Sequence, residues 1–344
     1  MEFCLLRFMV AIIVASFSAG EDKKDSIVYL DRGSFMMGSP RRELLKTGEF
    51  PQKHIQVKPF AIDRYPVTNA DFKVFKSEKP NYLTNAELDG YSWVFFKHKS
   101  QQAQVNKHLV HPDGGHWVAV RNATWYQPYG LGSNLDGKDL YPVIHVSYHD
   151  AYAFCLWAGK RVVSEYEWEY AARGGAAGNK FPWGNVSDFT RANLWQGRFP
   201  DFNIGRDGFE GVSPVDAYEP QNNFGMYDMI GNVWEWTNTA FTVPRVESDA
   251  NNPQHTVRGG SFLDTLDGRV NEETRVSLRK GLSPDYKAEN LGFRCAYLWK
   301  PGTKYSKPIK LRPPVRHRYE ETWEYKMKHA VKTVIGNIHK TEEL

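Results

Sequence analysis

The stretch Gly225-Met-Tyr-Asp-Met-Ile-Gly-Asn-Val-Trp-Glu-Trp236 punctuates an apolar, tryptophan-rich run with glycines at 225 and 231. It reads as a short strand entered through a tight turn, because the glycines interrupt any helical period. Two further stretches follow the same pattern: Val257-Arg-Gly-Gly-Ser-Phe-Leu-Asp264-Thr-Leu-Asp-Gly-Arg269 and Asn290-Leu-Gly-Phe-Arg-Cys295. Past Gly174-Gly175 the globular part is therefore a series of short strands between glycine turns. Within the first stretch, Asp228 and Glu235 place two carboxylates seven residues apart around a glycine bend. Such residues serve as caps or ion-pair groups. Combined with nearby carbonyls they also suit Ca2+, which takes six to eight oxygens in a tolerant geometry.

Upstream the signals change. Val28-Tyr-Leu, Gly33–Gly38 and the alternating His54-Ile-Gln-Val-Lys58 read as strands. Thr68 or Asn69 caps a short helix through Phe72 and Phe75. Val143-Ile-His-Val146 is a strand candidate. Ser147 or Asp150 then caps a helix whose inner face carries Phe154, Cys155 and Ala158, with Gly159 placed to end it in a left-handed conformation. Ser164-Glu-Tyr-Glu167 is a capping box that opens a second helix, which stops at Gly174-Gly175. Residues 76–140 give no clear period. The class is α+β and loop-rich, in keeping with 14% aromatic residues and 28 glycines.

The net charge of +4 is unevenly placed. Residues 301–344 hold 10 Lys and Arg against 5 Asp and Glu, so the body shows no basic face for nucleic acid. Arg7 precedes an apolar run from Phe8 to Ala15, with small residues at Ser18-Ala-Gly20. Residues 1–20 thus read as a secretory signal, and no apolar run is long enough to predict a membrane span. Residues 21–300 form one domain. Residues 301–344 form a proline-rich linker and an amphipathic helix carrying Tyr319, Trp323, Met327, Ala330, Val331 and Val334. Removing the signal takes Cys4 and leaves Cys155 and Cys295, an even number suited to one disulfide in an oxidising compartment. Two sequons begin at Asn122 and Asn185. Asn185 follows the tight turn Phe181-Pro-Trp-Gly, so Asn122 is the favoured acceptor. The final Thr341-Glu-Glu-Leu344 is similar to a divergent endoplasmic reticulum retrieval signal.

The three quoted stretches, with Ala153-Phe-Cys-Leu-Trp157, resemble the formylglycine-generating enzyme (sulfatase-modifying factor) family in order along roughly residues 26–300. The resemblance implies the complex variant of the C-type-lectin-like fold. It also implies a Cys155–Cys295 disulfide. Active members carry two redox cysteines shortly after the Gly-Gly-Ser turn, where this chain has Asp264 and Arg269. A soft Cu(I) needs thiolates to hold it. Aspartate is a hard oxygen ligand and arginine a permanent cation, so copper chemistry is not expected and the resemblance points to a non-catalytic branch.

The resemblance further implies two structural Ca2+ ions. One set takes side-chain oxygens of Asn193 and Asp207 with the carbonyls of Leu194 and Phe209. The other takes side chains of Asp228 and Glu235 with the carbonyls of Gly231 and Val233. A peptide groove is implied around Trp234, Ser261, Arg279 and Asn290, although Trp234 and Asn290 also suit fold maintenance. His108, His111 and His116 have no standard metal spacing. The expected function is a pseudoenzyme of the endoplasmic reticulum lumen. It would bind sulfatases, their peptides or the active paralogue, as a homodimer or heterodimer, and modulate sulfatase maturation. A secreted, calcium-stabilised lectin-like module is the first alternative. An oxidase with altered chemistry in the same groove is the second.

Overall fold

A computed structural model describes residues 26–302 apart from 248, 250 and 270. The expected signal segment and the amphipathic tail helix lie outside the described residues. β1 (Ile27–Leu30) leads into the hairpin of β2 (Gly33–Met37) and β3 (Lys53–Val57), then β4 (Phe60–Asp63). Next come α1 (Asn69–Glu78), α2 (Asn85–Asp89) and the hairpin of β5 (Tyr91–Phe95) and β6 (Trp117–Arg121). α3 (Tyr148–Trp157), β7 (Arg161–Val162) and α4 (Glu165–Arg173) precede the two-residue ribbon strands β8 (Gly197–Arg198) and β9 (Phe202–Asn203). The chain then runs through β10 (Trp234–Ala240), β11 (His255–Arg258), β12 (Arg279–Leu282), β13 (Leu291–Phe293) and β14 (Cys295–Leu298).

The helices begin where the side-chain chemistry requires. Thr68 with Asp71, Thr84 with Glu87, Ser147 with Asp150 and Ser164 with Glu167 each form a capping box. Each box satisfies backbone donors that have no partner in a first helical turn. Gly159 and Gly174 follow α3 and α4 at positive φ, as expected. Val143–Val146 is not a strand. His145 has φ +60°, Val143 N donates to the Val67 carbonyl and His145 N to the Ala288 carbonyl. The segment is thus an extended tie between two loops, and its apolar residues are buried without a ladder partner.

Two four-stranded sheets organise the molecule. One runs β1-β4-β14-β7 and the other β12-β11-β10-β13. In the second, β10 and β13 are parallel, with Trp234 beside Leu291. One core cluster gathers Phe60, Ile62, Trp168 and Met229, and another Phe72, Phe154, Trp236 and Phe293. The Cys155–Cys295 disulfide joins α3 to the start of β14 across 140 residues of sequence. Arg258, fully buried on β11, pairs with both Glu165 and Glu169 of α4, so α4 is held on the second sheet by charge as well as by Trp168. These features fix the α+β class expected from the sequence, with loops filling most of the space from 174 to 233.

Candidate functional site

The parallel β10–β13 pairing sets the base of a cleft. Trp234 N donates to the carbonyl of Asn290, the residue before β13, and both residues line a cavity of about 520 Å³. Asn290 Nδ2 donates to Ser261 Oγ at 3.1 Å. Ser261 follows Gly260, whose φ is +74° and where an added Cβ would come within 2.7 Å of Thr274. Glycine is needed for that turn, and the turn presents Asp264.

Asp264 faces inward, 4% exposed, and lines the cleft. Its Oδ2 accepts from Ser261 N at 2.7 Å and Ser261 Oγ at 2.8 Å, and its Oδ1 from Glu272 N at 3.1 Å. Burial pushes the carboxyl up to about 6 against the pull of these hydrogen bonds. Arg269 faces the other way, its side chain 86% exposed and paired with Asp267. The expectation that its cation would repel a metal in the groove is corrected, because it does not line the cleft. Ser261 is buried beneath the cleft as a support for Asn290 and Asp264.

Arg279 is not a groove residue either. Its Nε and Nη2 bind Glu165 at 2.7 and 2.9 Å, and its Nη1 donates to the Thr242 carbonyl at 2.7 Å. Its guanidinium lies over Phe241. Carrying a role over by position could not reveal that Glu165, 114 residues away, claims this side chain. The next residue, Lys280, does line the cleft, with its Nζ 2.8 Å from Asp113.

Sequence reasoning missed the aromatic lining. Phe95, Trp117 and Phe199 supply it, joined by His116 and Tyr286. Phe95 and Trp117 are paired residues of the β5–β6 hairpin, inside the segment that gave no clear period. The alternating aromatics Tyr91, Trp93 and Phe95 were the available signal. Tyr286 Oη lies 2.9 Å from His111 Nε2, and Asp113 N donates to His111 Nδ1. That hydrogen bond leaves Nδ1 without a proton, so neutral His111 carries its proton on Nε2; burial also lowers its pKa. His108, His111 and His116 do not converge. Among the described residues no group of three or more His, Cys, Asp or Glu is placed to hold a metal.

The two oxygen sets expected for Ca2+ meet in one polar knot. Asp207 bridges its set, accepting from Leu194 N at 3.0 Å and Phe209 N at 3.2 Å. Asn193 Nδ2 donates to the Gly211 carbonyl, which leaves its oxygen end as the acceptor. Gly231 adopts φ +83°, and a Cβ there would come within 2.5 Å of the Asn193 carbonyl, so the sets are in contact. Asp228 is buried, takes one hydrogen bond from Asn232 Nδ2, and is pushed up to about 7 by burial. Hard oxygens and desolvated carboxylates suit a hard cation. Glu235 differs. Arg294 grips both its oxygens at 2.6 Å, and Trp168 Nε1 donates to it, so its charge is already balanced. Val233 is buried beside it. Both sequon asparagines, Asn122 and Asn185, are exposed, including the one whose turn had argued against it. No helix among the described residues is long and apolar enough to cross a membrane.

Short strands, glycine turns and a cleft beside the Gly-Gly-Ser turn define the complex variant of the C-type-lectin-like fold found in formylglycine-generating enzymes. The solved structure of PvdO from Pseudomonas aeruginosa shares the fold, with a TM-score of 0.55 over 78% of this chain and 93% of that one, at 24% identity. Residues 15–298 match the sulfatase-modifying factor enzyme 1-like domain. The Mus musculus inactive C-alpha-formylglycine-generating enzyme 2 is 45% identical over 277 residues, covering 80% of this chain and 87% of that protein. The Mus musculus formylglycine-generating enzyme is 40% identical over 280 residues, covering 78% and 74%. The chain belongs to the formylglycine-generating enzyme (sulfatase-modifying factor) family.

Proposed function

We propose that this chain is a catalytically inactive member of its family in the endoplasmic reticulum lumen. It binds sulfatase-derived peptides or the active paralogue in its cleft and so modulates sulfatase maturation. One observation carries the reading: a cleft is present beside the Gly-Gly-Ser turn, and no cysteine lines it. The sequence holds three cysteines. Cys4 lies in the expected signal, and Cys155 and Cys295 are consumed by the disulfide. The place of the first redox thiol belongs to Asp264, which closes the Gly-Gly-Ser turn by hydrogen bonds rather than opening it to a metal. The relationship to a relative named as inactive supports the same reading.

In this reading the two oxygen sets hold structural Ca2+. They would knit the 193–211 loop to the 228–235 turn, with Glu235 shared between the ion and Arg294. Homodimers and heterodimers with the paralogue use the same fold. The test is incubation with a Cys-x-Pro-x-Arg peptide, O2 and copper, followed by mass spectrometry and a binding measurement. We expect bound but chemically unchanged peptide. An aldehyde product above a no-protein control would show the inactive assignment to be wrong. If the protein is recovered from the medium, and captures neither peptide nor paralogue, the secreted lectin-like alternative takes its place.

A further inference from the structure

We propose that the part of the cleft lined by Asp264 and Glu272 is a cation subsite. The place where active relatives carry redox thiols takes a lysine or arginine side chain of the bound segment in place of a cysteine. This rests on the peptide-binding reading above and adds what the site selects.

The charges on the cleft wall do not balance. Asp113, Asp264 and Glu272 line it against a single fixed cation, Lys280, and Lys280 is committed to Asp113 at 2.8 Å. The two arginines that the resemblance placed at the groove both face elsewhere, Arg269 into solvent beside Asp267 and Arg279 onto Glu165. Asp264 and Glu272 therefore have no cationic partner among the described residues, although Asp264 is nine-tenths buried and lines the cavity. Glu272 N donates to Asp264 Oδ1, and the Glu272 charge acts on the Asp264 carboxyl, adding to burial in the rise of its pKa. A desolvated carboxylate beside a second, partly exposed one is costly without a counterion, and the described residues supply no cation to relieve it.

The rest of the lining fixes the kind of cation. Trp117, Phe199, Phe95, Trp234 and Leu263 line the same cavity as the acids. Aromatic faces attract an ammonium or guanidinium, and an apolar floor covers the methylene stem of Lys or Arg. A bare metal ion would give up its water for two carboxylates and gain nothing from the rings. A cysteine thiolate would meet two negative charges.

The experiment compares two labelled peptides, Cys-x-Pro-x-Arg and its twin with Lys in the cysteine position, by fluorescence anisotropy on the full-length protein at pH 7.5. We expect the lysine twin to bind about tenfold tighter, a difference that shrinks as salt is raised. Glu272→Gln, on a partly exposed side chain, should abolish the preference with an unchanged melting temperature. Asp264→Asn serves as a second variant, interpreted only if it melts cooperatively. Equal affinity for the two peptides overturns the subsite and leaves the binding function standing. A preference that survives Glu272→Gln overturns its location. Binding of neither peptide overturns the subsite together with the reading on which it rests.

Discussion

The Asp264 carboxylate receives three donors from a turn that it closes, yet it is held at about 6 because burial costs its charge more than the hydrogen bonds return. A carboxyl whose folded pKa lies above its unfolded one binds its proton more tightly when folded. The stability from this group is therefore full below about pH 4 and is lost as pH rises through about 6. Asp207 and Asp228 are shifted the same way by burial, so the isolating measurement is a difference between proteins. Asp264→Asn should flatten the fall in melting temperature between pH 4 and 7 relative to the parent chain. Parallel curves for parent and variant would show that Asp264 titrates normally. That this position carries no thiol was legible in the sequence. That Asp264 turns inward while Arg269 turns outward was not, since the direction depends on the Ser261 and Glu272 backbone donors, which only the folded loop brings together.

At the scale of elements, α4 lies on the second sheet through Glu165 and Glu169. Arg258 is fully buried between them, and Arg279 closes on Glu165 from β12. Removing one partner of such a buried pair leaves a charge without compensation and costs about 3 kcal/mol or more. Arg279→Ala should therefore lower the melting temperature by several degrees and leave peptide affinity per folded molecule unchanged. A loss of affinity at full stability would return Arg279 to the groove. The helices themselves were the most readable part of the chain, because a capping box is a local signal: Ser147 with Asp150 and Ser164 with Glu167 need only four consecutive residues. Val143–Val146 misled for the same reason. Its apolar run matches a buried strand, but a strand needs a partner, and His145 at positive φ ties the segment to Val67 and Ala288 instead. The β5–β6 hairpin and the cleft wall it carries were obscured by the polar stretch separating two aromatic runs.

Across the whole molecule, the disulfide and the loops answer one problem. Long segments of irregular backbone cost conformational entropy that short strands cannot offset alone. A crosslink closing 140 residues restrains the unfolded chain at one end of the fold. The region from 193 to 235 is built around Asn193, Asp207 and Asp228, polar groups buried together with few cations near them. A Ca2+ ion on these oxygens would repay the desolvation of Asp228 and hold the loops in one arrangement. An ion bound only by the native state at a hundred times its dissociation constant adds about 2.7 kcal/mol, or roughly 5 °C for a domain of this size. Chelation should lower the melting temperature by that order, and Ca2+ but not Mg2+ should restore it, since Mg2+ demands near-octahedral geometry. The effect should be larger at pH 8 than at pH 5.5. Asp228 is held at about 7 in the ion-free fold, so protons compete with calcium for it at the lower pH. A melting curve unmoved by chelator at both pH values, with no calcium found by elemental analysis, would leave Asp228 as a neutral, hydrogen-bonded core residue and the loops stabilised by packing alone.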